Sequence, residues 1–451
     1  MTRRLVGAAA LSLCMAFLSW GCNRGDPSGG AGSGPGPNAA EPVTELKLSE
    51  PFEPAPPISI AADDWPWWRG PRRDAIGVGG APPMEWQEGK NVLWKTPLDG
   101  QGNSSPIVVR SRLYLTTYRA SPRPTQCVEA FDADTGQSAW STTVHADGFT
   151  EKLHPKATYA DPTLACDGER LFAAFLHEAS VVVTALNLDG EIVWQTRVGS
   201  YHTHSYGYGA SPVLFESFVI VAVDDPDGGS ISALHRQTGK VLWRIRRPEG
   251  ESYATPVIAE VDGRPQLLIN GKKIIASYDP ATGELLWSEK SAALVACNSM
   301  EFDGSLVFAS GGMPDKETVC LRAAVDAEES RVLWRDTHSA ATCYVPSLLL
   351  YDGRLFNLND DGVLTGFDSQ DGKQLFKRRF KGKFTASPVI AAGNLILVNE
   401  DGTAWVLRAS PPFAPVSRNE LEDGIMATPT LVRGRIYLRS SHHLYCIGFR
   451  D

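Results

Sequence analysis

The chain has 451 residues, of which 43% are apolar and 21% charged, an ordinary composition for a globular protein. Its net charge of −9 arises from 52 acidic and 43 basic residues without a compensating run of Lys and Arg. This charge excludes nucleic acid as an expected partner, because the surface repels phosphate backbones. The 42 glycines and 31 prolines indicate many turns.

Residues 1–22 are typical of an export signal. "MTRR" supplies the positive start, "LVGAAALSLCMAFLSW" is an apolar stretch too short for a comfortable membrane span, and "GC" follows. This order resembles a bacterial lipoprotein signal, which implies that Cys22 is acylated and becomes the mature N-terminus. An ordinary cleaved signal peptide is the alternative. In both cases we expect an exported protein, and in the first a lipid anchor at the periplasmic or outer-membrane face.

Two segments precede the folded body. Residues 23–58 are rich in Gly, Pro and Ser and poor in apolar residues, which predicts a flexible tether. Residues 59–90 form a leader that contains "DWPWWRGPRRDAIG" (64–77). We expect its tryptophans to dock it onto the body; an exposed ligand or lipid surface is the alternative.

Residues 91–451 repeat with a period of about 45 residues. In each unit a strand-like run follows a tight turn and ends in an aromatic residue, as in "DPATGELLW" (279–287), and a Pro-marked strand such as "ASPVIA" (386–391) comes next. The aromatic residues that we expect to pack against the neighbouring unit are Trp94, Trp140, Trp194, Trp243, Trp287, Trp334 and Phe376. Four short antiparallel strands at this period predict an all-β, eight-bladed β-propeller.

The two ends of the repeat are incomplete. The last unit has three strands, ending in "HLYCIG" (443–448), whereas "NVLWKTP" (91–97) is a fourth strand with no blade before it. We therefore expect Val92–Trp94 to complete the last blade beside the strand that contains Tyr445. This pairing joins the two ends and covers an open sheet edge.

The repeated "TGxxxW" pattern resembles the PQQ-like, quinoprotein-type β-propellers, and together with the lipoprotein-like start it is most similar to their BamB group of outer-membrane assembly lipoproteins. The resemblance implies a non-catalytic, monomeric scaffold in the cell envelope that binds partner proteins or peptides. Quinone-dependent dehydrogenases of this superfamily carry adjacent cysteines over the cofactor. This chain has no such pair, so we expect no PQQ and no other cofactor. A quinone-dependent or carbohydrate-active enzyme, or a small-ligand sensor, remains as the alternative.

Candidate binding residues lie on long connections that this topology brings to one face of the ring. Tyr and His side chains provide contact area and hydrogen bonds for a peptide or glycan. The candidates are His154, Tyr159, Asp161, Tyr201, His202, His204, Tyr206, Tyr208, Asp224 and Asp225.

Metal and catalytic sites are not expected. "HTH" (202–204) has a spacing that suits metal ligands, but an aromatic rim loop is the favoured interpretation. "VDDPDGG" (223–229) misses the calcium-loop spacing and is interpreted as a surface turn. The six cysteines after Cys22 have no CxxC spacing, so we expect free buried thiols. The sequence contains no G-x-S-x-G, P-loop or HExxH motif, and no catalytic residue is predicted.

Overall fold

A computed structural model describes residues 44–149, 153–202, 206–261, 263–326, 331–338 and 342–450. These residues form eight sheets of four antiparallel strands each, arranged as the blades of one ring, which confirms the predicted eight-bladed propeller. The signal segment with Cys22 and most of the predicted tether lie outside the described residues. No helix in the described part of the chain is long and apolar enough to cross a membrane.

The strands follow each other blade by blade, from the inner strand at the axis to the outer strand at the rim. Blade 1 contains β2 (Ile107–Val109), β3 (Arg112–Arg119), β4 (Thr125–Asp132) and β5 (Ser138–Ala146); blade 2 contains β6 (Ala165–Cys166), β7 (Arg170–His177), β8 (Ser180–Asn187) and β9 (Ile192–Ser200). Blade 3 contains β10 (Val213–Phe215), β11 (Phe218–Val223), β12 (Gly229–His235) and β13 (Val241–Arg247); blade 4 contains β14 (Val257–Val261), β15 (Arg264–Gly271), β16 (Ile274–Tyr278) and β17 (Leu285–Lys290).

Blades 5 to 8 repeat this order. Blade 5 contains β18 (Glu301–Asp303), β19 (Leu306–Gly311), β20 (Glu317–Arg322) and β21 (Val332–Asp336); blade 6 contains β22 (Leu349–Tyr351), β23 (Arg354–Leu358), β24 (Val363–Asp368) and β25 (Gln374–Arg379). Blade 7 contains β26 (Val389–Ala391), β27 (Asn394–Val398), β28 (Thr403–Arg408) and β29 (Pro415–Glu420); blade 8 contains β30 (Thr430–Val432), β31 (Arg435–Arg439), β32 (His443–Ile447) and β1 (Val92–Pro97).

Burial follows the position of a strand in its blade. The second and third strands are buried almost throughout, as in β23 and β24, because both their faces pack against neighbouring blades. The outer strand β25 instead alternates between exposed and half-buried residues, since only one of its faces and one of its edges are covered. The hydrophobic core therefore lies between the blades.

The ring closes as predicted. Strand β1 pairs antiparallel with β32, with Trp94 opposite Cys446 and Lys95 opposite Tyr445. The N-terminal strand thus supplies the outer strand of a blade whose other three strands come from the C-terminus.

The tryptophan of one blade lies over a turn glycine of the next. Trp94 covers Gly136, which has φ +71° and would place an added Cβ 2.6 Å from the Trp94 ring. The indole N–H donates to the carbonyl of Ala133 at 3.2 Å, and the Thr96 hydroxyl donates to the carbonyl of Gly136 at 2.7 Å. Glycine is needed here both for the left-handed backbone and for the space that the ring occupies.

The other predicted aromatic residues follow this pattern to different extents. Trp140, Trp194 and Trp334 lie over Gly190, Gly239 and Gly372 and donate to the carbonyls of Leu188, Arg236 and Ser369. Trp287 donates to Ala323 at 3.0 Å, and Phe376 packs on Phe413 with ring centroids 4.2 Å apart. Trp243 lies over Gly283, but its buried indole N–H has no hydrogen-bond partner among the described residues.

The leader lies across one end of the ring axis. Trp65 exchanges backbone hydrogen bonds with Val108 of β2, and Ile76 and Val78 form backbone bridges to Ile390 of β26 and Val432 of β30. Between these two ends of the segment, the indole of Trp68 donates to the hydroxyl of Ser299 at 3.0 Å. The leader thereby joins the inner strands of blades on opposite sides of the ring.

The last part of the predicted tether is packed on the ring. Leu46 exchanges two backbone hydrogen bonds with Arg244 on the outer edge of β13. Phe52 lies 5.6 Å from the ring of Phe218 and 5.7 Å from that of His235. The end at residue 58 predicted from composition therefore falls too late, because a few apolar residues in a Pro-rich segment find a surface that composition alone does not reveal.

Candidate functional site

A ring of hydroxyl side chains surrounds the axis. Each blade contributes one Ser or Thr from the residues that precede its inner strand: Ser105, Thr163, Ser211, Thr255, Ser299, Ser347, Ser387 and Thr428. At six of the eight junctions the backbone N–H of one of these residues donates to the hydroxyl of the next blade, at 2.9–3.0 Å. These bonds satisfy buried backbone groups and fix the spacing of the inner strands.

A second ring lies two residues before the first in each repeat. Its members are Asn103, Asp161, Gly209, Tyr253, Cys297, Val345, Thr385 and Met426. Residues i and i+2 of an extended segment point to the same side, so both rings face the axis. Together they line a throat of about 130 Å³. Trp68 of the leader also lines this throat.

The throat opens into a wider cleft, which we call the axial cleft. It has a volume of about 510 Å³ and shares seven lining residues of the second ring with the throat. The residues added at its mouth are His154, Lys156, Ala157, Tyr206, Tyr344 and Asp360. This volume lies within the usual range for a ligand site in proteins, roughly 300–1,000 Å³.

The mouth of the axial cleft is aromatic. The ring of Tyr206 lies 4.7 Å from that of His154 and 6.2 Å from that of Tyr253. Tyr206 is 50% exposed. Burial raises the pKa of Tyr253 and of Tyr344, so both phenols stay protonated at neutral pH. Three tyrosines from different connections thus offer apolar faces and hydroxyl groups to the same space.

The two carboxyl groups that line the axial cleft accept hydrogen bonds from the backbone of the connections around it. Asp161 accepts hydrogen bonds from the backbone N–H of Thr158 and from the amide of Asn103, and burial raises its pKa to about 6. Asp360 accepts from the backbone N–H groups of Tyr344 and Val345 at 3.1 and 3.2 Å, and burial raises its pKa as well. Both carboxyl groups therefore fix connections that carry lining residues.

The remaining polar groups at the mouth are also fixed. The Nδ1 atom of His154 accepts the backbone N–H of Lys156 at 3.2 Å, which leaves the proton of the neutral ring on Nε2. The ammonium group of Lys156 pairs with Glu400 at 2.7 Å, and Glu400 also accepts from the hydroxyl of Thr385 at 2.7 Å. The thiol of Cys297 contacts Tyr344, and burial raises its pKa to about 12. This thiol is therefore protonated at neutral pH, and the thiolate is the reactive form.

The structure brings three of the predicted binding residues together, namely His154, Asp161 and Tyr206, all of which line the axial cleft. His202 and Asp225 contact each other on the connections of blades 2 and 3 and do not line it. His204 lies outside the described residues.

The other four candidates have internal partners. Tyr201 and Tyr208 are buried, and their hydroxyls donate to the carbonyls of Gly207 and Ala222 at 2.9 Å. Asp224 is buried in a two-bond pair with Arg247. Tyr159 packs in an aromatic cluster, 4.9 Å from the ring of Tyr118 and 5.0 Å from that of Phe149.

Several lining residues were not among the predicted candidates. They are Asn103, Lys156, Tyr253, Cys297, Tyr344, Asp360 and Thr385. A signal for four of them was present in the repeat, since Asn103, Tyr253, Cys297 and Thr385 stand two residues before the ring hydroxyls. The residue type two positions before the ring hydroxyl differs from repeat to repeat. A lining residue can therefore be identified only by its distance from that hydroxyl along the chain, and not by its type.

Comparison with known proteins shows which family this chain matches. A family model described as "Outer membrane protein assembly factor BamB" matches residues 83–207, 124–323 and 315–410. A protein of that name from Burkholderia pseudomallei is 24% identical over 343 residues, which cover 68% of this chain and 85% of the relative. Another from Legionella pneumophila is 23% identical over 202 residues, which cover 43% of this chain and 49% of the relative.

Solved structures show the same fold. BamB from Moraxella catarrhalis is similar with a TM-score of 0.59 at 15% identity, covering 80% of this chain and 98% of that one. A quinohemoprotein alcohol dehydrogenase from Comamonas testosteroni has a TM-score of 0.64 at 13% identity, covering 86% of this chain and 81% of the dehydrogenase. At these identities the likeness concerns the fold and does not transfer an activity.

Proposed function

The chain belongs to the family of the outer membrane protein assembly factor BamB, and on this premise we propose that it is a non-catalytic scaffold that binds a partner polypeptide in its axial cleft. The relatives carry a name that describes protein assembly. We propose that the partner is likewise a protein or peptide of the cell envelope, and that the ring acts as a monomer.

One observation carries the proposal: Tyr206, Tyr253 and Tyr344 come from connections of different blades and converge on the axial cleft. The throat below this cleft is lined by Trp68. Tyrosines contribute large contact areas at a small loss of side-chain entropy and are enriched among residues that dominate binding energy. A side chain or a turn that protrudes from a partner fits such a cleft, and the polar groups at the mouth would orient it.

The rim offers a second mode of contact for the same partner. The backbone of Leu46 forms an isolated antiparallel bridge with Arg244 on β13 of blade 3. The side chains of Ser417 and Asn419 on β29 of blade 7 likewise bind the backbone of Met84. These contacts support the idea that outer strands of other blades accept an extended segment by strand addition.

Site-specific photo-crosslinking tests the proposal. A photoreactive residue in place of Tyr206 is expected to crosslink the full-length protein in cells to a defined envelope polypeptide. The same residue in place of Phe449, which is 62% exposed and does not line the cleft, serves as the control position. Equal crosslinking from both positions, or none from position 206, would contradict binding in the cleft.

A matched pair of variants localises the interaction. Tyr253→Ala removes a half-buried tyrosine of the axial cleft and should reduce crosslinking from position 206 about tenfold, the usual effect of losing an anchor residue. Tyr351→Ala removes a half-buried tyrosine from the inner strand of blade 6, outside the cleft, and should leave the yield unchanged. If a glycan or a small ligand raises the melting temperature of the wild type and not of Tyr253→Ala, the cleft serves a sensor or a carbohydrate-active protein instead.

We also propose that the protein is exported and anchored through Cys22. The support is the apolar segment 5–20, which follows a positive start and is followed by Gly21 and Cys22. Cys22→Ser should release the protein from the membrane fraction into the soluble periplasmic fraction and abolish labelling by a radioactive fatty acid. Membrane retention of the variant at the wild-type level would contradict the anchor.

The residues of the axial cleft do not fit a quinone cofactor, and we propose that none is bound. The sequence has no adjacent cysteines, and the carboxyl groups of Asp161 and Asp360 already accept backbone hydrogen bonds. Lys156, the one cationic side chain in the described lining, is paired with Glu400. Titration with pyrroloquinoline quinone and calcium should change neither the absorbance spectrum nor the melting temperature. A saturable change in either would contradict this proposal.

A further inference from the structure

Three potential metal ligands meet on neighbouring connections of blades 2 and 3. His202 follows β9, whereas Asp225 and Asp227 lie in the loop between β11 and β12. The donor atoms of the three side chains all lie within 4.8 Å of one another. The Nδ1 atom of His202 is 3.5 Å from Oδ2 of Asp225 and 3.8 Å from Oδ2 of Asp227.

These separations suit an ion better than hydrogen bonds. An N–H···O bond requires about 2.7–3.2 Å, so Nδ1 bonds to neither carboxylate. This nitrogen atom is buried and has no hydrogen-bond partner in the described part of the chain. A tetrahedral zinc ion with bonds of about 2.0–2.2 Å places its ligand atoms roughly 3.3–3.6 Å apart, close to the observed distances.

Asp225 is held in place before any ion arrives. Its carbonyl accepts the backbone N–H groups of Gly228 and Gly250, both at 3.1 Å. Its Oδ1 atom accepts the N–H of Asp227 at 2.9 Å, and its Oδ2 atom accepts the N–H of His202. Such fixed outer contacts orient a carboxylate for metal binding.

The carboxyl group of Asp225 is also buried without a Lys or Arg partner among the residues that the structure describes. Its side chain is 2% exposed, and within the described residues no Lys or Arg lies within ion-pair distance of it. Arg247, whose partner is the adjacent residue Asp224, forms both its bonds with that carboxylate. A buried carboxylate is costly unless a positive charge compensates for it, and a metal cation supplies that charge.

We propose that His202, Asp225 and Asp227 bind one divalent cation of the zinc class through Nδ1 and one oxygen atom of each carboxylate. One imidazole and two carboxylates form a three-ligand set that Zn²⁺ accepts, with solvent in the remaining position. The 68% exposed side chain of Asp227 leaves that position open to water. The ion links the connection after β9, which carries Tyr206 four residues later, to blade 3.

Calorimetry with chelator-treated full-length protein and ZnCl₂ tests this site. We expect one ion per chain, and we expect Co²⁺ at the same stoichiometry to give the visible absorption bands of a tetrahedral centre. His202→Asn and Asp227→Asn should each weaken binding at least about tenfold. Because Asp227 is exposed, Asp227→Asn should have the same melting temperature as the metal-free wild type. If His202→Asn folds poorly, the affinity of Asp227→Asn for Zn²⁺ decides the outcome.

A control variant separates this site from another His–carboxylate group. His442 and His443 face Asp423 at hydrogen-bond distances of 2.9 and 3.0 Å. His442→Asn should bind Zn²⁺ like the wild type. No saturable binding, an affinity that Asp227→Asn does not change, or a comparable loss in His442→Asn would each overturn the proposal.

Discussion

We expect Trp94 to stabilise the closure of the ring, and replacing this residue by alanine tests this expectation. Trp94 lies on β1, the strand that completes blade 8, and its indole covers Gly136 of the neighbouring blade 1. The indole N–H donates to the carbonyl of Ala133 in the same turn. Removing a buried Trp costs about 3–5 kcal/mol, and a half-buried one falls at the low end. The hydrogen bond contributes about 1 kcal/mol of this. We therefore expect Trp94→Ala to lower the free energy of unfolding by about 3 kcal/mol and Trp94→Phe by about 1 kcal/mol.

Trp140→Ala is the matched control for the pairing of β1 with β32, which we call the seam of the ring. Trp140 makes the same contacts one blade further on, over Gly190 and with the carbonyl of Leu188. Its strand β5 follows β4 of the same blade directly, whereas β1 has no neighbour along the chain in blade 8. Denaturant unfolding measures the global loss, which should be similar for both variants. Hydrogen exchange measures local opening, and amides of β1 should exchange faster in Trp94→Ala than in Trp140→Ala.

Two results would refute this reasoning. If Trp94→Ala lowered the free energy of unfolding by less than about 0.5 kcal/mol, its effect would equal that of an ordinary surface substitution. Equal exchange of β1 in the two variants would mean that the tryptophan stabilises the ring generally and has no special effect on the seam.

Three further predictions concern a turn glycine and two ionisable groups. Gly136→Ala should lower the unfolding free energy by about 3 kcal/mol in chemical denaturation, whereas Gly89→Ala, with φ +83° but open space around its Cβ, should cost about 1 kcal/mol; equal losses would exclude a clash with the indole. The pKa of Asp161 is raised to about 6, above its unfolded value near 4, so the folded chain holds an extra proton between these values and its stability falls as the pH rises through them. The melting temperature of Asp161→Asn relative to wild type should therefore increase from pH 4 to pH 7, and a constant difference would contradict the shift. Burial lowers the pKa of His145 to about 3, below its unfolded value near 6.5, so stability falls with the pH below 6.5; NMR should show this imidazole still neutral at pH 5, and titration between pH 5 and 7 would be inconsistent with its burial.

The blade count and the closure followed from the sequence, because both depend on local chemistry that recurs at a fixed period. The Asp and Gly turn and the aromatic residue that follows recur in unit after unit, and a third strand without a fourth at the C-terminus points to β1. Three of the predicted binding residues, His154, Asp161 and Tyr206, line the axial cleft.

The composition of the cleft could not be predicted in the same way. Tyr253 and Tyr344 are 91 residues apart, and their meeting depends on how eight inner strands are arranged around an axis. Tyr201 and Tyr208 have the same residue type and lie on the same connection as Tyr206, yet their side chains are buried. An aromatic residue in a connection gains free energy from burial in the ring or from a ligand alike, so its type does not reveal which way it points.

The sequence by itself determined the repeat, the number of blades and the strand that closes the ring, since hairpins, alternation and turn glycines are set by neighbouring residues. The tertiary structure alone decided which side chains converge at the axis, where the leader crosses it, and that His202 faces Asp225 and Asp227. These contacts join residues far apart in the chain, and their geometry is set by the packing of blades against one another.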